Sequence, residues 1–324
     1  MYKVLITGGA GFLGKRLARQ LLARGELTGP GGKPQKIDRL VLLDVVAPTD
    51  LDDPRLEIIT GDIADPALLR RVVDAEVGSI FHLAAVVSGA AEADFDLGMR
   101  INLDATRSLL ERCRELGHTP RFVFTSSVAV FGGKLPEVLP DDIATMPMSS
   151  YGAQKAAGEL MVSDYSRKGF LDGRTLRMPT ISVRPGKPNA AASSFASGIV
   201  REPLNGEPAV APVAPGTRMW LMSPRHAIAN LIHGHELDAQ TLGLPRTVSL
   251  PGLTVTVQGM VDALREVAGD AVADRVQWKP DERIRSIVES WPGAFAATRA
   301  KALGFTADGS YADVIRAYIE DDMG

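Results

Sequence analysis

The segment Thr7-Gly8-Gly9-Ala10-Gly11-Phe12-Leu13-Gly14 constrains the fold more than any other part of the sequence. It follows an apolar run, Lys3–Thr7. It opens a stretch, Phe12–Arg24, in which Leu13, Leu17, Leu21 and Leu22 share one helical face and Lys15, Arg16 and Arg19 lie elsewhere. In a strand–turn–helix unit of this kind, Gly8 permits the tight turn, Gly11 lets backbone N–H groups approach a pyrophosphate, and Gly14 lets the helix pack closely on the sheet. Phe12 and Leu13 form the first helical turn beside that site. A glycine triplet alone is weak evidence; between a strand and a good helix it reads as a dinucleotide fingerprint.

The first half of the chain repeats this alternation. Lys3–Thr7, Arg39–Leu43, Leu56–Thr60, Ser79–Leu83, Arg121–Ser126 and Arg174–Met178 are short apolar runs, as strands buried on both faces must be. Helical patterns lie between them: Phe12–Arg24, a helix opened by Asp65-Pro66, a long one from about Asp94 to Leu116, and Tyr151–Arg167. The expected fold is α/β, a Rossmann doubly wound parallel sheet over residues 1–178. Residues 179–324 are proline-rich with scattered short strands and helical patterns at Pro224–Leu237, Thr254–Val267, Phe295–Ala302 and Tyr311–Asp321. They read as a smaller C-terminal substrate-binding cap, interleaved with the first domain. Gly29-Pro30-Gly31-Gly32-Lys33-Pro34 reads as an irregular surface loop.

Composition removes several classes of function. Among 324 residues, 36 Lys and Arg stand against 39 Asp and Glu, a net charge of −3 with no basic block, which argues against nucleic acid as partner. No apolar run approaches the ~20 residues that span a bilayer. The N-terminal run passes directly into a strand pattern without a signal-peptide layout. Cys113 is the one cysteine, so neither an internal disulfide nor a cysteine-rich zinc site is available, and a reducing cytoplasm is expected.

The second strand ends at Asp44. Its carboxylate can accept hydrogen bonds from an adenosine ribose and would repel a 2′-phosphate, and the residues that follow, Val45-Val46-Ala47, hold no arginine to receive one. NAD is therefore expected over NADP, although Asp44 also suits a strand-end turn. Asp62 after the third strand can bond the adenine amine, with Ile63 on the ring; it can equally cap the next turn. Leu83-Ala84-Ala85 supplies the small residues needed beside a dinucleotide.

Tyr151 and Lys155 stand at i and i+4, on one face of a helix. A phenol near pKa ~10 is a poor base, and about 4 kcal/mol of phenolate stabilisation is needed to bring it to about 7. An ammonium at ~4 Å supplies ~1–4 kcal/mol of this, and a positive nicotinamide adds more. The tyrosinate can then take the proton of a substrate hydroxyl as hydride leaves. Phe122-Val123-Phe124-Thr125-Ser126-Ser127 brings hydroxyls to the carboxyl end of the fifth strand, where ligands of open α/β sheets bind.

The succession TGGAGFLG, FTSSVAVFGG, YGAQK resembles the extended short-chain dehydrogenase/reductase family, which includes nucleotide-sugar epimerases and dehydratases. The resemblance covers nearly the whole chain. It implies Ser127 as the catalytic hydroxyl, Ser126 as a cofactor neighbour, Tyr151 as base, and Lys155 on the nicotinamide ribose. Asn102 matches the helix asparagine that supports the active site from behind, and Pro179 to Ile181 should offer backbone groups to the carboxamide. Phe131 departs from the tyrosine common in sugar-nucleotide members. The run Arg177–Asn189, with Ala192–Phe195 and Arg201–Leu204, looks like the D-erythronate dehydrogenase branch, whose members oxidise the 2-hydroxyl of a four-carbon sugar acid with NAD. Ser88 corresponds to a serine near substrate and nicotinamide in the related threonine dehydrogenases.

On that resemblance a sugar-acid carboxylate needs a cation: Arg184, Arg218 and Arg225 are candidates, at least one of which should face the nicotinamide, with Asn189, Ser193 and Ser194 as polar partners. Arg218 aligns with an arginine that contacts nucleotide phosphate in the epimerases. The alternatives are a nucleotide-sugar epimerase with tightly held NAD and a redox-sensing binding protein. A homodimer through the helices bearing Asn102 and Tyr151 is expected by analogy. His226, His233 and His235 lack a carboxylate at ligand spacing, so no metal site is expected.

Overall fold

A computed structural model describes residues 1–188 and 190–323. Seven parallel strands form the main sheet: β1 Lys3–Thr7, β2 Arg39–Asp44, β3 Leu56–Thr60, β4 Val77–His82, β5 Arg121–Ser127, β6 Asp172–Met178 and β7 Thr247–Ser249, in the order β7-β6-β5-β4-β1-β2-β3. Val4 stands opposite Leu40 on one side and Ser79 on the other. The chain lays strands on one side of β1, then returns to lay β4 on the other, which opens a crevice at the carboxyl end of β1.

Alternation along β1 explains how both faces are covered. Val4 and Ile6 join a core with Leu17 and Leu21 of α1 (Phe12–Arg24) and Ile228 and Leu231 of a later helix, Pro224–Glu236. Leu5 points the other way, into a core with Leu69 of α2 (Pro66–Val72), Leu109 and Leu110 of α3 (Ala105–Leu116), and Val162 of α4 (Ser150–Arg167). With both faces covered, the strands are mostly apolar, and polar residues such as Ser79, His82 and Arg174 are buried among them.

Residues after 179 build a second core around Val183, Ile199, Val200, Met260, Leu264 and Ile315. A three-stranded sheet supports it: Arg218–Met222 lies between Leu253–Thr256, antiparallel, and Thr180–Ile181, parallel. β7 and the helix Pro224–Glu236 return to the main sheet, so the C-terminal part of the chain serves both layers.

Several expected elements are corrected. The glycine- and proline-rich loop is the tip of a hairpin, Glu26–Thr28 paired with Pro34–Lys36; its flanks satisfy their backbone groups across the turn. The helix expected from Asp94 starts at Phe95, capped by Asp94 on the Leu97 N–H at 2.9 Å, and widens into a π-helical turn, Met99–Asp104, before α3. The Thr254–Val267 pattern splits: Leu253–Thr256 is strand, and Thr256 caps the helix Val257–Ala268 through the Gly259 N–H at 3.0 Å. The short strands Ala209–Ala211 and Val276–Trp278 had no legible pattern.

Candidate active site

The glycine turn leaves room that side chains would fill. A Cβ on Gly8, whose φ is +72°, would lie 2.8 Å from the Ala84 nitrogen. A Cβ on Gly14 would lie 2.2 Å from the Gly8 carbonyl oxygen, so α1 rests directly on the turn. Gly11 begins α1 with no side-chain cap and no acidic residue in the first turn, which leaves that end of the helix positive. Gly14→Ala should therefore destabilise the protein by about 1–3 kcal/mol and weaken NADH binding. A variant that matches the wild type in both melting temperature and fluorescence-detected NADH affinity would contradict this packing.

Two cavities of about 400 and 390 Å³ flank the turn and share Gly8, Gly11, Leu83 and Ala85. Together they make a two-lobed crevice bridged by the positive helix end, which fits a dinucleotide with its pyrophosphate on the glycines. In one lobe lie Asp44, Asp62, Ile63 and Ala84. Asp44 accepts from the Ala10 N–H at 2.9 Å and the Val45 N–H at 2.7 Å, tying β2 to the glycine turn. Asp62 caps its turn through the Ala64 N–H at 2.8 Å and pairs with Arg100 at 2.5 Å. It caps its turn and also lines the lobe where an adenine would lie.

The other lobe contains Phe12, Leu13, Gly14, Ser88, Ser126, Ser127, Tyr151, Lys155, Pro179, Ile181, Arg184 and Ser193. Ser149 caps α4 through the Gly152 N–H at 3.2 Å, which puts Tyr151 in its first turn at the crevice. Tyr151 and Ser127 line the same chamber, and the Ser127 hydroxyl favours the Tyr151 phenolate. Lys155 is buried, donates to the Thr125 carbonyl at 2.9 Å, and lies 4.7 Å from the Phe124 ring centre and 5.8 Å from that of Tyr151. Burial lowers its pKa to about 8. The phenol of Tyr151 is not acidic in this state: burial raises it to about 12, against the opposing effects of the Ser127 hydroxyl and the positive charge of Arg184. Without the nicotinamide, desolvation outweighs the nearby cations, in keeping with an expected share of only ~1–4 kcal/mol from Lys155.

Three further positions depart from expectation. Arg218 is ion-paired with Glu137 at 3.0 Å and does not line the chamber, and Arg225 is paired with Glu320 and Asp321 at 2.8 and 2.6 Å. Ser194 lines a separate cleft with Pro188, Phe195 and Glu202. Asn189 lies outside the described residues. Arg184 is the candidate arginine that lines the chamber. Its backbone is fixed by the Ser197 hydroxyl at 3.0 Å and by Arg201 at 2.8 Å, and its guanidinium has no carboxylate partner among the described residues. Burial, then the charge of Arg201, lower its pKa from the ordinary value.

Asn102 is buried off the crevice, where it accepts from the Val86 N–H at 2.8 Å, donates to the Val86 carbonyl at 3.0 Å and donates to Gln154 at 2.8 Å. It thus braces the strand-four loop against α4 and does not line either lobe. The three histidines bond within the protein: His226 to Asp308, His233 to the Leu303 carbonyl, His235 to Ser79. Trp291 forms part of the chamber wall without having been singled out; it reaches the site from a distant connector that carries no motif.

The family model described as the NAD dependent epimerase/dehydratase family matches residues 4–220. The chain belongs to that family. It is 65% identical over 318 residues to a D-erythronate dehydrogenase of Cupriavidus necator, covering 98% of each chain, and 48% identical over 322 residues to one of Haemophilus influenzae, covering 99% of this chain and 100% of the relative. A solved structure described as a nucleoside-diphosphate-sugar epimerase from Agrobacterium tumefaciens superposes with a TM-score of 0.92 at 45% identity, covering 100% of this chain and 95% of that one. The protein is an NAD-dependent oxidoreductase acting on a CH–OH group.

Proposed function

We propose that this chain oxidises D-erythronate to 2-oxo-D-erythronate with NAD, and that Tyr151 is the general base. The observation that carries the reading is the meeting of Ser127, Tyr151 and Lys155 with Arg184, a cation without a carboxylate partner among the described residues, in one chamber of about 400 Å³. The two relatives named above act, by their names, on this acid.

The dinucleotide would be held by Gly8, Gly11 and the first turn of α1, by Asp44 and Ile63 at the adenosine end, and by Lys155 and Pro179–Ile181 at the nicotinamide end. When bound, it supplies the hydride acceptor and a positive ring. Arg184 then receives the substrate carboxylate through a charge-assisted fork. Ser127 holds the oxygen of the reacting hydroxyl. Tyr151, as the phenolate, would take its proton as the C–H hydride departs to the nicotinamide the site would hold, so an alcohol leaves as a ketone and the phenolate becomes the phenol. Asp44 disfavours a 2′-phosphate and so favours NAD over NADP.

Two subsidiary readings accompany this one. A homodimer through the helical segments bearing Asn102 and Tyr151 is proposed by analogy; Leu160 on α4 is 72% exposed and Phe95, next to the π-helical turn, 58%. A reducing cytoplasm suits Cys113, buried and unpaired; no helix among the described residues is long and apolar enough to cross a membrane.

The test is absorbance at the reduced-nicotinamide band with NAD or NADP and a panel of sugar acids and nucleotide sugars. Net NADH with D-erythronate is expected. Inactivity across four- and five-carbon sugar acids would defeat the reading. The epimerase alternative, which the description of the Agrobacterium structure favours, requires turnover of a nucleotide sugar without net NADH. Against it, Arg218 is engaged by Glu137 outside the chamber.

A further inference from the structure

Beneath the chamber lies a buried ion pair that the chemistry above leaves without a role. Glu159 stands one turn beyond Lys155 on α4, as Lys155 stands one turn beyond Tyr151. Its carboxylate accepts from the Ser126 hydroxyl at 2.5 Å and from Arg177 of β6 at 2.9 Å (Nε to Oε1) and 2.7 Å (Nη2 to Oε2). The two charged side chains are 5% and 12% exposed. A buried ion pair is a weak source of stability, so the fold alone does not account for one here.

Its placement suggests why it is there. Successive residues of a strand face opposite ways. Ser126 turns to Glu159, and its neighbour Ser127 lines the chamber with Tyr151. Glu159 therefore grips the end of β5 that presents one reacting hydroxyl, from the same helix that presents the other. It is also the carboxylate whose charge opposes loss of the Lys155 proton. The remaining groups around it do not duplicate that charge. His82 of β4 faces Lys155, but burial drives its pKa down to about 3, so it is neutral. From β7 comes the Ser249 hydroxyl, 3.5 Å from Arg177. Arg177 packs 4.8 Å from the centre of the Phe131 ring, and Arg184 acts on Tyr151 from across the chamber.

We propose that Glu159 is a positioning residue: it ties the strand end bearing Ser127 to the helix bearing Tyr151 and Lys155, and its negative charge keeps Lys155 an ammonium ion in the working pH range. This rests on the roles proposed above for Tyr151 and Lys155. The sign is fixed by geometry. Neutralising Glu159 removes an anion from the neighbourhood of Lys155 and leaves Arg177 an unpaired cation; both changes favour the free amine. An opposite charge at ~4–6 Å is worth about 1–3 pH units, so the Lys155 midpoint should fall by about one unit or more.

The experiment compares the wild type with Glu159→Asp, Glu159→Gln and the double variant Glu159→Gln/Arg177→Gln, which buries no unpaired charge. NADH affinity is followed by fluorescence from neutral to alkaline pH, since the ammonium donates to the ribose more strongly than the amine. Thermal melting records the fold. In Glu159→Gln the pH midpoint of binding should move down by about one unit; the double variant, which loses an anion and a cation together, should move less; Glu159→Asp should keep the midpoint and lose kcat. A midpoint that stays put in Glu159→Gln overturns the proposal whatever the activity, and if that variant does not fold, a double variant that folds and keeps the wild-type kcat overturns it. If neither folds, the pair is structural and the proposal falls. Because NADH binding needs no substrate, a shifted midpoint in an enzyme inactive on every sugar acid would retain Glu159 in this role and remove only the proposed substrate.

Discussion

Tyr151→Phe is expected to lower kcat for alcohol oxidation by about 10²–10⁴-fold, the usual worth of a positioned proton acceptor, while NADH affinity changes little. The substitution deletes one oxygen and leaves the ring on α4. At most one side-chain hydrogen bond goes with it, about 1 kcal/mol of stability, too little to unfold a chain of this size. The wild-type pH profile should carry the sign of the phenol. Burial places its pKa at about 12, above the ordinary value, so the phenolate is scarce at neutral pH and oxidation should quicken as pH rises. The reverse reduction uses the protonated phenol and should not need alkali. In Tyr151→Phe the rise with pH should flatten. A variant retaining more than a tenth of the wild-type kcat, or the same slope against pH, would remove Tyr151 from the reaction.

The sequence exposed the part of the site that local chemistry dictates. The glycine turn, the strand-end serines and the Tyr151–Lys155 pair are read from spacing, because a tight turn, a strand terminus and one helical turn each fix geometry within a few residues. Six strands of the main sheet were legible for the same reason, being mostly apolar where they are buried; β7, Thr247–Ser249, is three residues long and two of them are polar, so it carried no such signal. Glu159 was within reach of this logic, continuing the spacing of Tyr151 and Lys155. The arginines were not. Whether a guanidinium turns into the chamber depends on which carboxylates packing brings near. Glu137 takes Arg218 and Glu320 takes Arg225 from far along the chain. Trp291 is hidden likewise, since it reaches the chamber wall only through packing against the second core, far along the chain from the other lining residues. The hairpin at Glu26–Lys36 was missed because glycine and proline mark the turn but say nothing of whether the flanks pair.

That same long-range sorting leads to the second large effect. Arg184→Met should lower kcat/KM for the sugar acid by about 30-fold or more, since truncating one partner of a desolvated charge pair costs about 2–5 kcal/mol. Methionine keeps the apolar stem beside the Phe12 ring, which lies 6.0 Å from the guanidinium carbon, so the wall should persist. The loss should fall mainly on KM, because the carboxylate is bound before and during hydride departure alike. A second component is expected in kcat, since the charge of Arg184 favours the Tyr151 phenolate and its removal should carry the rise of oxidation further toward alkali. Arg184→Lys separates the two: it keeps the charge and loses the planar fork, so it should restore the pH profile more fully than KM. The uncharged polyol that lacks the carboxylate should be a poor substrate for the wild type and lose nothing further in Arg184→Met. An unchanged KM for the acid in Arg184→Met would show that the carboxylate lies elsewhere, and with it would go the reason for preferring a sugar acid over a neutral alcohol in this chamber.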